Sequence, residues 1–155
     1  MALELNRYYL KYFYDPVAES FEEGFWNAVK QRKLVFQRCG ECGEWLHPPR
    51  PVCHKCKNVD LEWVESTGKG KIYSYCVFTR EVHPMFRVPF EVVLVEMDDE
   101  KVRFISNMKD TDPDELYIGM PVEVEFVEIN EEWSLPWFRK AKKGGKGEKK
   151  PEAKK

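Results

Sequence analysis

CGECGEWLHPPRPVCHKC, residues 39–56, holds four cysteines as two C-x-x-C pairs with ten residues between Cys42 and Cys53. Each C-x-x-C brings two sulfurs to one side of a tight turn, and two such knuckles facing each other make a tetrahedral four-sulfur cage. Gly40 and Gly43 ease the first knuckle. The spacing therefore predicts a metal held by Cys39, Cys42, Cys53 and Cys56. Zn²⁺ is the preferred ion, with iron in an electron-carrier site as the rival and disulfides as the plainer alternative. The second knuckle, CHKCKN, lacks the glycine that an iron-type pattern carries after its last cysteine, which favours zinc. Four thiolates close the coordination sphere, whereas a catalytic zinc keeps a position open for water or substrate. The metal is thus read as structural, one ion per chain. His47 and His54 lie close by and are read as surface histidines.

Outward from the cysteines, LVFQR (34–38) enters the first pair as a short strand and LEWV (61–64) leaves the second as another, the layout of a zinc ribbon. Upstream, DPVAESFEEGFWNAVKQRK reads as a helix, with Asp15 as N-cap, Pro16 in the first turn, and Phe21, Phe25 and Val29 on one face. Gly24 weakens that pattern. Residues 1–14 are rich in Tyr and Phe without a clean period and form an apolar arm expected to lie on a partner or on the chain's own body.

Downstream of Gly68-Lys69-Gly70, read as a turn, KIYSYCVFTR, FEVVLVEMD, KVRFISNM and MPVEVEFVEI read as strands. Asp98-Asp99-Glu100 supplies a hairpin turn, and DTDPDELYIGM one helical turn opened near Pro113 and closed at Gly119. In the last of these strands Val122, Val124 and Phe126 face inward and Glu123 and Glu125 outward. The fold class is mainly β: an N-terminal arm and helix (1–33), a zinc ribbon (34–66), an OB-fold-like five-stranded β-barrel (67–139) and a lysine-rich tail (140–155).

Charge narrows the function classes. The tail from Lys140 carries eight lysines against Glu148 and Glu152, or +6, so the net −2 of the chain leaves −8 for residues 1–139. A four-thiolate zinc site adds to that negative charge. Such a body repels a phosphate backbone, so nucleic acid, the first idea for a ribbon joined to a barrel, is the runner-up, even though Tyr73, Tyr75 and Phe78 offer stacking surfaces. No stretch approaches the ~18 uninterrupted apolar residues of a membrane helix. The N-terminus lacks the run and cleavage site of a secretory signal, and paired cysteines then point to a reducing, cytoplasmic setting.

No G-x-S-x-G, phosphate-cradling glycine loop or cysteine with an evident histidine partner is present, so no catalytic residue is assigned. Cys76, mid-strand, is read as a small buried core residue. TREVHPMFRVPFEV, from Thr79, mixes Arg80, His83 and Arg87 with Phe86, Pro84, Pro89 and Phe90, a composition suited to a ligand edge or partner surface. WSLPWFRK makes a second patch with Trp133, Trp137, Phe138 and Arg139. Arg50, with Trp45, Pro48 and Pro49, is what the metal staple presents.

FWNAVKQRKLVFQRCGECGEWLHPPRPVCHKC, LEWVESTGKGKIYSYCVFTR, HPMF, PFEVVLVEMD, ISNM, DPDELYIGMPVEVEF and LPWFRK, in that order, resemble the acyl-CoA-associated family that pairs a rubredoxin-like zinc ribbon with an OB fold, long catalogued as a domain of unknown function. The resemblance spans roughly residues 21–140. It implies a non-catalytic zinc-binding subunit of a hetero-oligomer with a thiolase-like large subunit, or a related aldolase or hydratase, that carries the chemistry. Acyl-CoA would then lie near the interface. Cys39, Cys42, Cys53 and Cys56 match the family's zinc ligands, and the segment from His83 to Arg87 its loop between the first barrel strands.

Overall fold

The structure, a computed structural model, describes residues 21–81, 88–129 and 133–142. The aromatic arm, the Asp15 cap, the segment with His83, Phe86 and Arg87, and the tail beyond residue 142 lie outside the described residues.

Helix α1 spans Glu23–Lys30 and buries Phe25 and Val29, four residues apart, as the spacing predicts. Its chain then turns back through Arg32 at φ 59°. Gly24 is there for close approach: a Cβ on it would sit 2.1 Å from Trp63 Nε1, so the helix lies against the ribbon as no larger residue would allow.

The ribbon is an antiparallel sheet in the order β2-β1-β3, built from β1 (Val35–Cys39), β2 (Trp45–Leu46) and β3 (Leu61–Glu65). The barrel comprises β4 (Lys69–Phe78), β5 (Phe90–Met97), β6 (Arg103–Ser106), β7 (Pro121–Glu128) and β8 (Ser134–Lys140), in the order β6-β5-β4-β7-β8. Gly68, at φ +69°, makes the turn between the two sheets, and Lys69 and Gly70, read as part of that turn, already belong to β4. A parallel bridge between Met108 and Phe138 joins the two edges, with Phe138 N–H donating to the Asn107 carbonyl at 2.9 Å and Lys109 N–H to that of Phe138 at 2.7 Å. This closes the sheet as an OB fold does.

The predicted turns are in place. Met97 N–H reaches the Val102 carbonyl at 2.9 Å across Asp98–Glu100, and Asp112 caps a 3-10 turn at Pro113–Glu115 by accepting from Asp114 N–H. Val122 is buried, with Val124 and Phe126 packed against the core. The fifth strand is the SLPWFRK segment, which the sequence presented as a surface patch. Pro136 and the unbroken run Pro136-Trp137-Phe138 hide its β-character, because β8 buries both faces there.

Cys76 is exposed, contrary to its reading as a core residue. β7 pairs with β4 only over Lys69–Lys71, so among the described residues β4 beyond the irregularity at Ile72/Ser74 has β5 as its one strand partner, with the Tyr75 hydroxyl donating to the Leu116 carbonyl at 3.2 Å. Tyr73, Tyr75 and Val77 are exposed with it, and alternation has no core to report on.

One core runs through helix, ribbon and barrel, from Phe25, Val29 and Phe36 to Ile72, Val95 and Phe138. Its junction is Phe104 on β6, whose ring lies 6.2 Å from Phe25, 6.0 Å from Phe36, 4.9 Å from His47 and 6.0 Å from Phe138, centroid to centroid. Edge and tilted contacts of this kind add roughly 0.5–1.5 kcal/mol each beyond the area they bury.

Gly24→Ala tests the close approach. Alanine is the better helix former by about 1 kcal/mol, yet here it should destabilise the chain by roughly 1–3 kcal/mol through the clash with Trp63. Urea unfolding followed by tryptophan fluorescence measures the change, and a stabilised variant would contradict the packing.

Candidate metal centre and the hollow at the seam

The two knuckles have the same backbone. Gly43 N–H donates to the Cys39 carbonyl at 2.9 Å and Cys39 N–H to that of Glu44; Lys57 N–H donates to the Cys53 carbonyl at 3.0 Å and Cys53 N–H to that of Asn58. The turn needs a left-handed residue four positions after its first cysteine. Gly43 supplies it at φ 69° and Lys57 at φ 66°, the latter against a steric cost of about 1–2 kcal/mol. The missing glycine of the second knuckle is thus a lysine held in a glycine's conformation.

The four sulfurs lie within 4.8 Å of one another. Cys39 and Cys56 Sγ are 3.5 Å apart, and Cys42 and Cys53 Sγ 3.6 Å. A tetrahedron with Zn–S bonds of about 2.3 Å has edges of about 3.8 Å, so the donor set fits a zinc ion. Asn58 Nδ2 points at Cys39 Sγ from 4.0 Å and supports it from outside the cage. The Cys42 backbone N–H pulls the Cys39 thiol down to about 6. Cys56 is pushed up to about 12, because burial and its sulfur neighbours outweigh the lowering by the Asn58 N–H. Four thiolates crowd each other without a cation, and Zn²⁺ relieves that crowding by taking the protons' place. The zinc is structural: all four positions are filled by sulfur, and Leu46 and Leu61 pack against the cage.

His54 is exposed, with Nε2 3.9 Å from Glu44, as expected of a surface histidine. His47 is neither surface residue nor ligand. Its ring packs on Phe36 at 5.3 Å and Phe104 at 4.9 Å, and burial pushes its pKa down to about 4. The imidazole is therefore neutral near pH 7.

His47, Pro48 and Pro49 form one wall of a hollow of about 350 Å³ at the seam of the fold. Glu22, Phe25 and Trp26 form the helix wall, and residues 104–107 and 135–137 the barrel wall. Of the sequence-predicted contact residues that are described, only Trp137 lines it, and Trp137 is buried in the fold, because β8 takes part in the barrel closure and is no surface strap. Arg139 is ion-paired with Glu123 at 3.0 Å and Glu125 at 3.3 Å. Arg50 is exposed, its backbone N–H donating to Gln37 Oε1 at 2.7 Å, and Arg80 is exposed beyond β4. Sequence reasoning missed Glu22, His47 and Phe104. The HPP that follows the first knuckle was the available signal, since two prolines after a histidine hold a rigid, non-helical wall.

The description "ChsH2, rubredoxin-like zinc ribbon domain" matches residues 26–62 and "ChsH2, C-terminal OB-fold domain" residues 63–127. The chain is 43% identical over 121 residues to a probable enoyl-CoA hydratase alpha subunit of Thermomonospora curvata, covering 77% of this chain and 38% of the relative. It is 36% identical to the 3-oxo-4,17-pregnadiene-20-carboxyl-CoA hydratase alpha subunit of Mycobacterium tuberculosis, covering 72% of this chain and 35% of that one. The chain thus spans little more than a third of these two relatives. A DUF35 domain-containing scaffold protein of Methanocaldococcus jannaschii is 34% identical, with 69% of this chain and 77% of the relative covered. Among solved structures, a chain of an Ltp2-ChsH2(DUF35) aldolase superposes with TM-score 0.77 at 40% identity, over 81% of this chain and 98% of that one.

Two outcomes test the site. Cys39→Ser should drop zinc content below one ion per chain and cost several kcal/mol, lowering the unfolding midpoint by roughly 10 °C or more, read by metal analysis and calorimetry. An unchanged midpoint with zinc lost would mean the ion is not structural. His47 has its pKa depressed in the folded state, so its contribution to stability is present above pH 6.5 and is lost as pH falls towards 4, up to about 3 kcal/mol. His47→Leu should lack that loss, and wild-type and variant stabilities that fall in parallel between pH 7 and 4 would contradict the burial.

Proposed function

The chain belongs to the ChsH2/DUF35 family of paired zinc-ribbon and OB-fold proteins, and on that premise we propose that it is a non-catalytic subunit of an acyl-CoA-processing complex. The observation that carries this reading is the likeness to a chain of the Ltp2-ChsH2(DUF35) aldolase, 98% of which this chain covers. The two hydratase alpha subunits, which the chain matches over part of their length, place further relatives in acyl-CoA chemistry.

In this reading a thiolase-like large subunit holds the nucleophile and the acid-base groups, and the acyl-CoA lies near the interface. The zinc ribbon contributes shape. Its closed cage has no open position, and His47, packed on Phe36 and Phe104, is too depressed in pKa to take up and release a proton as a working base near neutral pH. Arg50 and Arg80, exposed on the ribbon and beyond β4, are candidate contacts for the large subunit or for the CoA phosphates. Among the described residues no helix is long and apolar enough to cross a membrane. The five free cysteines suit a reducing compartment, and the cytoplasm is the proposed setting.

Purification of the tagged full-length chain from its native host provides the test. A thiolase-like, aldolase or hydratase subunit should be recovered in stoichiometric amount, and acyl-CoA turnover should follow that subunit. Recovery of the chain with nucleic acid alone, or acyl-CoA turnover by the isolated chain, would overturn the proposal.

A further inference from the structure

The hollow between helix, ribbon and barrel is built from all three parts of the chain, yet the metal site does not use it. Its volume of about 350 Å³ falls in the range of pockets that take a discrete ligand or a large anchoring side chain. Its walls are mostly aromatic and proline: Phe25, Trp26, Phe104 and Trp137, with Pro48 and Pro136. Polar groups on the barrel side already have partners. Ser106 Oγ donates to the Pro136 carbonyl at 2.6 Å, and Asn107 Nδ2 to that of Glu91 at 2.6 Å. The walls are therefore set before anything enters, which spares a binding partner the cost of ordering them.

Charge restricts the occupant. Among the described residues of the lining Glu22 is the charged one, His47 is neutral, and there is no lysine or arginine. Among the described residues Glu22 has no ion-pair partner. A carboxylate on a body of net charge −8 (−2 for the chain less +6 for its tail) repels phosphate and carboxylate groups, and with them the charged end of a CoA thioester. The same sign opposes a second copy of this acidic surface. Ile105, at the rim, is 69% exposed, and Leu94 lies in register beside it, so apolar surface continues outward from the hollow. An apolar pocket with an exposed aliphatic rim and the Glu22 carboxylate in its lining complements a bulky apolar side chain next to a cation.

We propose that this hollow is the docking pocket for the large subunit, and that it receives a bulky apolar side chain whose neighbouring lysine or arginine pairs with Glu22 while Ile105 seals the rim. The inference rests on the reading that such a subunit exists, and it names the surface that holds it. The occupant belongs to the partner polypeptide, and the acyl-CoA binds elsewhere. Because the His47–Pro49 wall belongs to the ribbon, the pocket is complete only when the ribbon is seated on the barrel.

The test uses the large subunit recovered with the tagged chain, then produced separately and titrated against the zinc-loaded full-length chain by calorimetry at low and high salt. Glu22 makes no side-chain capping hydrogen bond and Ile105 is exposed, so Glu22→Arg and Ile105→Glu should fold with the wild-type unfolding midpoint. Each should raise Kd about tenfold or more, with the Glu22→Arg effect shrinking as salt rises. Ile118→Glu, at a position 67% exposed but outside the lining, should leave Kd within about twofold. Glu22→Arg and Ile105→Glu binding with wild-type affinity would overturn the docking pocket and leave the proposed function standing. Equal losses from all three variants would also overturn it. If no acyl-CoA enzyme subunit is recovered, the docking pocket and the proposed function fall together.

Discussion

The contact on which this structure turns is the ring of Phe104. It is a barrel residue, yet its neighbours are Phe25 of the helix, Phe36 and His47 of the ribbon and Phe138 of the closing strand. A small ribbon held only by a metal would be free to swing about its linker. Here Leu34 and the first two residues of ribbon strand β1, Val35 and Phe36, enter the same core as the barrel strands, so the two sheets share one apolar interior. Burial of a ring of that size is worth roughly 1.5–3 kcal/mol, and the seam holds several.

The zinc cage stands at the other end of the ribbon and has a different task. It fixes two loops that bury little apolar surface of their own, with Leu46 and Leu61 as the apolar cover. Such loops cannot offset the entropy of ordering their backbone by burial alone, and a metal held by four sulfurs supplies the difference. The stretch between the knuckles then gains a fixed shape. His47, Pro48 and Pro49 are carried from the metal to the wall of the hollow, so the ion shapes a surface without touching what binds there. Lys57, held in the left-handed region, shows how strongly the knuckle geometry is imposed.

Much of this was legible in the sequence because it depends on local spacing. Two C-x-x-C pairs announce the cage, i+4 spacing announces Phe25 and Val29, and alternation in PVEVEFVE announces an inward Val122. The failures arise where a residue's environment is set by distant chain. Cys76 has the pattern of a core position, but β7 pairs with only the first residues of β4, and around Cys76 the described strand partner is β5. His47 reads as polar until β6 places Phe104 against it. SLPWFRK carries a proline and too little alternation to reveal a strand, because Trp137 and Phe138 are both buried. The hollow was invisible for the same reason, since its walls come from four separate stretches of chain between Glu22 and Trp137.

The central claim is that the structural zinc keeps the ribbon folded, and that only the folded ribbon can pack on Phe104 and complete the seam. Hydrogen–deuterium exchange of the full-length chain, zinc-loaded and after chelation, tests it most directly. The account predicts that chelation deprotects the ribbon amides from Val35 to Glu65 and, with them, the barrel amides at 104–107 and 135–137 along the seam. Amides of β4 from Lys69 to Ile72, and those of β7, should keep their protection. A seam that stays as protected without zinc as with it would contradict the account, because the ribbon would then sit on the barrel without its metal.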